Sequence, residues 1–230
     1  MTDNAPAFPA RWAPQHPECL QLYSLATPNG RKVGIMLEET GLPYEAHRID
    51  IMQGDQFDPD FVRLNPNSKI PCILDPQGPD RVPMALMESG AILLYLAGKS
   101  GQLLPEAPAE RWQATAWLMF QVGSIGPMFG QFGHFHKFAR DKTADDYARQ
   151  RYTKEVTRLL GVLESRLDAR DYLLDSGYSV ADIATFPWVE ALNFYQGKEA
   201  VDYARFPAVE AWLARCLVRP AVQRGLKVCA

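Results

Sequence analysis

The residues of this chain that could do chemistry together fall in two short stretches. Asn65-Pro66-Asn67-Ser68-Lys69-Ile70-Pro71-Cys72-Ile73-Leu74-Asp75 passes from a polar turn into an apolar run, and Met87-Glu88-Ser89-Gly90-Ala91-Ile92 leads into another. The run from Ile70 to Leu74 has the length of one buried strand. Pro71 at its mouth cannot donate to a sheet ladder, so it marks an edge, a strand start or a cis turn. Ser89 stands in the N-cap position of a segment, Ala91 to Ala97, with the composition of a buried helix. The unpaired N–H groups of such a helix start favour an anionic ligand group. A backbone edge beside a proline and an anion-ready helix end would together hold a small peptide-like molecule.

Other chemistries find little support. The four cysteines, Cys19, Cys72, Cys216 and Cys229, form no CxxC and no metal-ligand spacing, and read as reduced thiols in the cytoplasm. Cys72, inside an apolar run, reads as a core residue. His134-x-His136 lacks a third ligand at a recognisable spacing, so no metal is expected, and the phenylalanines at 129, 132, 135 and 138 read as a packing face or an acceptor-site wall. Gly98-Lys99-Ser100 imitates the end of a phosphate loop, but Leu93 occupies the position that requires glycine. With a net charge of −3 over 230 residues, nothing points to nucleic acid or an anionic membrane. The apolar runs are too short to span a bilayer, and no secretory signal is visible.

The elements that must position the two stretches follow from pattern. Residues 1–18, with four prolines and little periodicity, read as an extended or mobile extension. Leu20 to Leu25 alternates as a strand, Ala26-Thr27-Pro28-Asn29-Gly30 reads as a loop, and Val33, Met36, Leu37 and Thr40 keep helical spacing up to Gly41. A second strand is expected over Tyr44–Ile51, a loop at Gly54–Phe57, and a short helix from Asp58-Pro59 to Leu64. Strands after Pro71 and at Met84–Met87 should pair as a hairpin. The order βαβ, short helix, ββα implies a parallel pair joined by a right-handed crossover. Beyond Pro105 every periodicity is helical. Gly126-Pro127 should break or kink one helix, and a long helix starting near Asp145 carries Tyr152, Val156, Leu159, Leu160, Leu163 and Leu167 on one face. Ser179-Val180-Ala181-Asp182 opens another with a capping-box pattern. Three regions are therefore expected: an extension over 1–18, an α/β domain over 19–100 and an all-helical domain over 105–230.

These residues resemble those of the cytosolic glutathione transferases, most closely the bacterial Nu-class disulfide-bond oxidoreductases and their fungal prion-domain relatives. The resemblance is carried by Thr27-Pro28-Asn29-Gly30-x-Lys32, Gly54-x-Gln56-Phe57, Asn65-Pro66-Asn67-x-Lys69-Ile70-Pro71 and Glu88-Ser89-Gly90-Ala91-Ile92. In the helical half it is carried by Gly126-Pro127-Met128 and Arg151-Tyr152. It implies a thioredoxin-like domain followed by a helical domain, a homodimer, and glutathione as substrate, one or two molecules per site. It implies that Asn29, with Thr27 near it, faces the glutathione sulfur, that Gln56 holds the glycine end, and that Ile70, set by a cis Pro71 and with Lys69 beside it, pairs with the cysteinyl part. Glu88 would bind the γ-glutamyl amine, Ser89 its carboxylate, and Arg151 a second glutathione. The expected activity is reduction of small disulfides; conjugation to electrophiles and a non-catalytic regulatory role are the alternatives. Disulfide exchange needs a thiolate, an accessible disulfide and in-line approach, so the missing CxxC is compatible with it.

Overall fold

The computed structural model describes residues 6–142 and 145–230. They form two compact units, one running through Gln102 and completed by Pro220–Ala230, the other spanning Leu103–Arg219. The last eleven residues, expected in the helical domain, therefore belong with the first unit.

In the first unit the chain runs β1 (Leu20–Ser24), α1 (Pro28–Thr40), β2 (Tyr44–Arg48), α2 (Pro59–Leu64), β3 (Cys72–Asp75), β4 (Met84–Met87) and α3 (Ser89–Ser100). The sheet order is β2-β1-β3-β4, with β1 parallel to β2 and the other pairs antiparallel. This is a thioredoxin-like arrangement. α1 starts five residues before the expected Val33. Pro28 occupies its first turn, where a missing N–H is harmless, and the Thr27 hydroxyl accepts from Gly30 N at 3.3 Å as the cap. Gly30 is required there: a Cβ would lie 1.9 Å from the Leu25 carbonyl oxygen, so the helix start can lie this close to β1 only without a side chain. Gly41 ends α1 in the left-handed conformation, as its position suggests. β2 stops at Arg48, three residues short of expectation, and Gly54–Phe57 contains a single 3-10 turn.

Tyr23, Ile49, Phe61, Leu64, Cys72 and Leu74 form a buried cluster in this unit. Fully burying one such side chain stabilises by about 1.5–3 kcal/mol. Phe8 and Trp12 pack against the same cluster, so this part of the segment expected to be extended or mobile is fastened to the core; its residues 1–5 lie outside the described residues. Backbone N–H groups of the extension are held as well: Ala10 donates to Asp60 at 2.8 Å, and Gln15 and His16 donate to Glu45 at 2.8–2.9 Å. The carboxylates that fix the segment lie between 29 and 50 residues away, beyond the reach of a local pattern.

The second unit contains α4 (Pro108–Phe120), α5 (Gly126–Gly133), α6 (Tyr147–Leu167), α7 (Val180–Tyr195) and α8 (Pro207–Leu217). Gly126-Pro127 does not break the helix. A π-helical turn over Gln121–Ile125 precedes it, Gly126 N donating five residues back to Gln121 O, and Pro127 falls in the first turn of α5, where no donor is needed. α6 buries Val156, Leu159, Leu160, Leu163 and Leu167, the face expected from their spacing. Ser179 and Asp182 form the capping box at the head of α7. Among the described residues no helix is long and apolar enough to cross a membrane.

A ninth helix, α9 (Pro220–Gly225), returns to the first unit and crosses α1. The crossing depends on glycine: a Cβ on Gly225 would lie 2.5 Å from Ile35 Cα, and one on Gly34 would lie 2.9 Å from the Gly225 carbonyl oxygen. Gly225→Ala is expected to lose about 1–3 kcal/mol through this overpacking, measured as a lower midpoint in denaturant at unchanged slope.

Candidate active site

The sheet register brings three chain ends together. Tyr23, near the end of β1, pairs with Cys72 at the start of β3, and Cys72 pairs with Met87 at the end of β4. The segments that adjoin these residues, Thr27–Gly30, Asn65–Pro71 and Glu88–Ser89, therefore meet at one end of the strands. They enclose a cleft of about 230 Å³ whose walls include Asn29, Lys69, Ile70, Pro71, Glu88 and Ser89. All six were read from the sequence as one site.

Each wall has a local cause. The Asn65 side chain, 2% exposed, donates from Nδ2 to Lys69 O at 2.6 Å and accepts from Asn67 N at 2.9 Å. It thus fixes the turn ahead of the cis Ile70–Pro71 bond. Asn65 and Asn67 also line the cleft, a part the sequence reading gave only to a turn. Glu88 takes the cap position of α3 with φ 71° and ψ 111°, a conformation that costs a non-glycine residue free energy and that recurs where a site holds it. Ser89 is therefore the first residue of α3 rather than its cap, because the chain turns into the helix one residue earlier.

The Ser89 hydroxyl, in a residue only 8% exposed, accepts from Lys32 Nζ at 3.2 Å. Lys32 is 1% exposed. Burial lowers its pKa to about 7, against a smaller upward pull from Glu88. Sequence reading counted Lys32 within a motif and gave it no role. The available signal was its place among Val33, Met36 and Leu37, directly on the buried stripe of α1.

Gln56 lies on the 3-10 turn that follows Gly54. Its Nε2 reaches Ile51 O at 3.4 Å, while Oε1 is buried with no hydrogen-bond partner. The adjacent Asp55 is 6% exposed and paired to Arg11 at 2.7 Å, so the extension braces this turn. Thr27 spends its oxygen on the α1 cap. Tyr23 is wholly buried and stacked on His47 at 4.8 Å, which keeps its hydroxyl from a ligand in the cleft; burial also pushes its phenol pKa well up.

Arg151 belongs to the other unit. It is exposed on α6 and lines a cleft of about 640 Å³ with Tyr147, Lys154 and Arg158. This cleft is larger than the first; it is lined mainly by α6, with Met128 from α5, and by no buried polar side chain among the described residues, whereas the smaller one gathers three segments and includes Ser89, the hydrogen-bond partner of the buried Lys32. The smaller is the candidate site. The histidines of the sequence motif take part in ring packing: His136 stacks on Phe132 at 4.8 Å, and His134 meets Phe135 edge-on at 5.0 Å. Cys72 is buried, and desolvation pushes its thiol up to about 12. Lys99 pairs with Asp75 at 2.6 Å instead of serving a phosphate.

The profile described as the glutathione S-transferase N-terminal domain matches residues 26–99, and that of the C-terminal domain residues 123–220. The chain belongs to the glutathione S-transferase family. Over 208 residues, 90% of this chain and 94% of the other, it is 43% identical to the disulfide-bond oxidoreductase YfcG of Escherichia coli. A glutathione transferase from Pseudomonas putida, crystallised with one glutathione disulfide per subunit, superposes with TM-score 0.94 at 54% identity, covering 96% of each chain. Another from Burkholderia graminis, with two glutathione molecules per subunit, gives 0.92 at 58%, covering 94% of this chain and 90% of that one.

Proposed function

We propose that the protein reduces small disulfides with glutathione as the donor. The observation that carries this reading is the cleft itself: it offers amides, a backbone edge, a carboxylate and a helix start, and its nearest cysteine, Cys72, is sealed in the core as a thiol. The reacting sulfur must then be brought by the ligand. Relatives named or crystallised as disulfide oxidoreductases and glutathione-disulfide complexes favour reduction over conjugation.

In this reading Glu88 pairs with the γ-glutamyl amine, and Ser89 and the α3 head receive its carboxylate. Ile70, presented by the cis proline with Lys69 beside it, meets the cysteinyl backbone. Gln56 takes the glycine end; an amide with one buried atom unmatched suits a group that the ligand supplies. Asn29, in the first turn of α1 with the Thr27 cap behind it, aims its amide at the sulfur and stabilises the thiolate. The thiolate attacks one sulfur of the substrate disulfide, the S–S bond breaks, and the first product leaves as a thiolate that takes a proton from water. A second glutathione, contacted by Arg151, attacks the glutathionyl sulfur of the mixed disulfide, releasing the second product thiol and glutathione disulfide. The protein acts as a Nu-class homodimer in the cytoplasm.

The test compares glutathione-dependent reduction of hydroxyethyl disulfide with conjugation of a chloronitrobenzene on one preparation. Fast reduction with faint conjugation is expected. The opposite ratio makes the protein a conjugating transferase, and glutathione binding with neither activity makes it a binding protein.

A further inference from the structure

Both backbone groups of Asn65 and both ends of its amide bond within its own loop. Its N–H donates to Phe61 O at 2.9 Å and closes α2, and its carbonyl accepts from Ser68 N at 2.9 Å. The side-chain oxygen takes Asn67 N at 2.9 Å, and the side-chain nitrogen gives to Lys69 O at 2.6 Å. These partners fix which end of the amide is which, since an N–H needs the oxygen and a carbonyl needs the nitrogen. Asparagine alone suits this place. An ionised aspartate has no proton for Lys69 O, a serine hydroxyl cannot span both partners, and glutamine is one methylene too long.

The bond to Lys69 O orients the next peptide group. The Lys69–Ile70 bond is trans, so its C=O and N–H point in opposite directions. With the oxygen held back against Asn65, the Ile70 N–H points out of the loop, and among the described residues it meets no acceptor. The Ile70 side chain packs against the buried cluster that contains Tyr23, Phe61 and Cys72, so its backbone is the part left to face the cleft it lines. Pro71 has no N–H, which makes Ile70 the last backbone donor before β3 begins at Cys72.

We propose that Asn65 is a positioning residue for the ligand: by holding Lys69 O it aims the Ile70 N–H at the carbonyl of the ligand's cysteinyl residue. The inference rests on the glutathione reading of the cleft. Without the Asn65 amide the peptide plane between Lys69 and Ile70 is free to turn. The N–H then leaves the ligand, and in the opposite setting Lys69 O would face it, an acceptor against an acceptor. A donor fixed before the ligand arrives needs no ordering on binding, so its whole contribution appears as affinity. Asn65 touches no reacting atom; it acts through Ile70.

The experiment measures by calorimetry the affinity of the full chain for S-methylglutathione and for an analogue whose cysteinyl–glycine amide is a trans alkene. The alkene keeps the ligand's shape and removes the carbonyl. The wild type should prefer the amide over the alkene more strongly than Asn65→Asp does, by about three- to tenfold, the worth of one hydrogen bond between neutral groups. The aspartate variant still accepts from Asn67 N, so the loop stays closed, but its carboxylate repels Lys69 O and the peptide plane turns. Asn65→Ala should show the same loss of discrimination together with a lower midpoint in denaturant. In wild type carrying isotope-labelled isoleucine, the Ile70 amide proton should move downfield with S-methylglutathione and not with the alkene. Equal weakening of both ligands in the variants, or no weakening of either, overturns the proposal while leaving the glutathione site intact, because Asn65 then only closes its loop. An Ile70 amide unmoved by bound S-methylglutathione overturns it even where a variant does not fold. Failure of the wild type to bind S-methylglutathione overturns the site reading and this inference together.

Discussion

Asn29→Ala lowers the turnover number for disulfide reduction by roughly ten- to hundredfold, with a much smaller change in glutathione affinity. A free thiol near pKa 8.5 is only a few per cent ionised at neutral pH. A hydrogen bond to an ionised acceptor contributes about 1.5–3 kcal/mol, and each 1.4 kcal/mol is tenfold in rate when the ionised form is the reactant. The geometry limits the alternatives: Thr27 is occupied as the α1 cap, Tyr23 is sealed against His47, and Asn29 is the side chain of the first turn that lines the cleft. Because the loss is one of ionisation, the rate should recover toward that of the wild type as pH rises and the thiolate forms without help. Parallel losses in turnover and binding, with no recovery at high pH, would assign Asn29 to binding alone.

Asp182→Ala should destabilise the helical unit by about 3–5 kcal/mol. The carboxylate is fully buried and collects four donors: Leu173 N at 2.9 Å, Trp212 Nε1 at 2.8 Å, Ser179 N at 3.0 Å and Ser179 Oγ at 3.2 Å. One group thus fixes the start of α7, the segment before it, and the largest fully buried side chain, which is carried by α8. Alanine leaves those donors buried without acceptors. Ser179→Ala removes the hydroxyl and should cost only about 1 kcal/mol. Chemical denaturation of the two variants distinguishes a shared anchor from an ordinary cap: similar small losses would reduce Asp182 to the latter.

Much of this was legible because it is local. The capping box at Ser179–Asp182, the left-handed Gly41 and the proline-led start of α2 are decided within a few residues, and all stand where their patterns put them. The two stretches that line the cleft could be read from residue types, since proline at a strand mouth and an acid-serine pair before an apolar run each limit the backbone on their own. Three features were out of reach. The positive φ of Glu88, which moves the head of α3 back by one residue, comes from joining β4 to α3 in so little chain. The burial of Lys32 contradicts the habit of its residue type, which is to carry its charge to water. The fastening of residues 8–16 and the return of the tail depend on partners far away in sequence. The early start of α1 is a different case: Thr27-Pro28 is a helix-start signal in plain view, and the turn-forming residues after it hid it.

The return of α9 also sets an order of events during synthesis. α1 leaves the ribosome well before α9, and the surface it presents at Gly34 and Ile35 is completed by Gly225, which is made only after the whole helical unit. The unit whose translation begins first is thus finished after the other has been made. Until α9 emerges, a nascent chain carries the helical segment behind an α/β unit with one open flank. That flank is where a chaperone would find it, and where a premature stop after residue 219 would leave a protein with its cleft residues present and their scaffold incomplete.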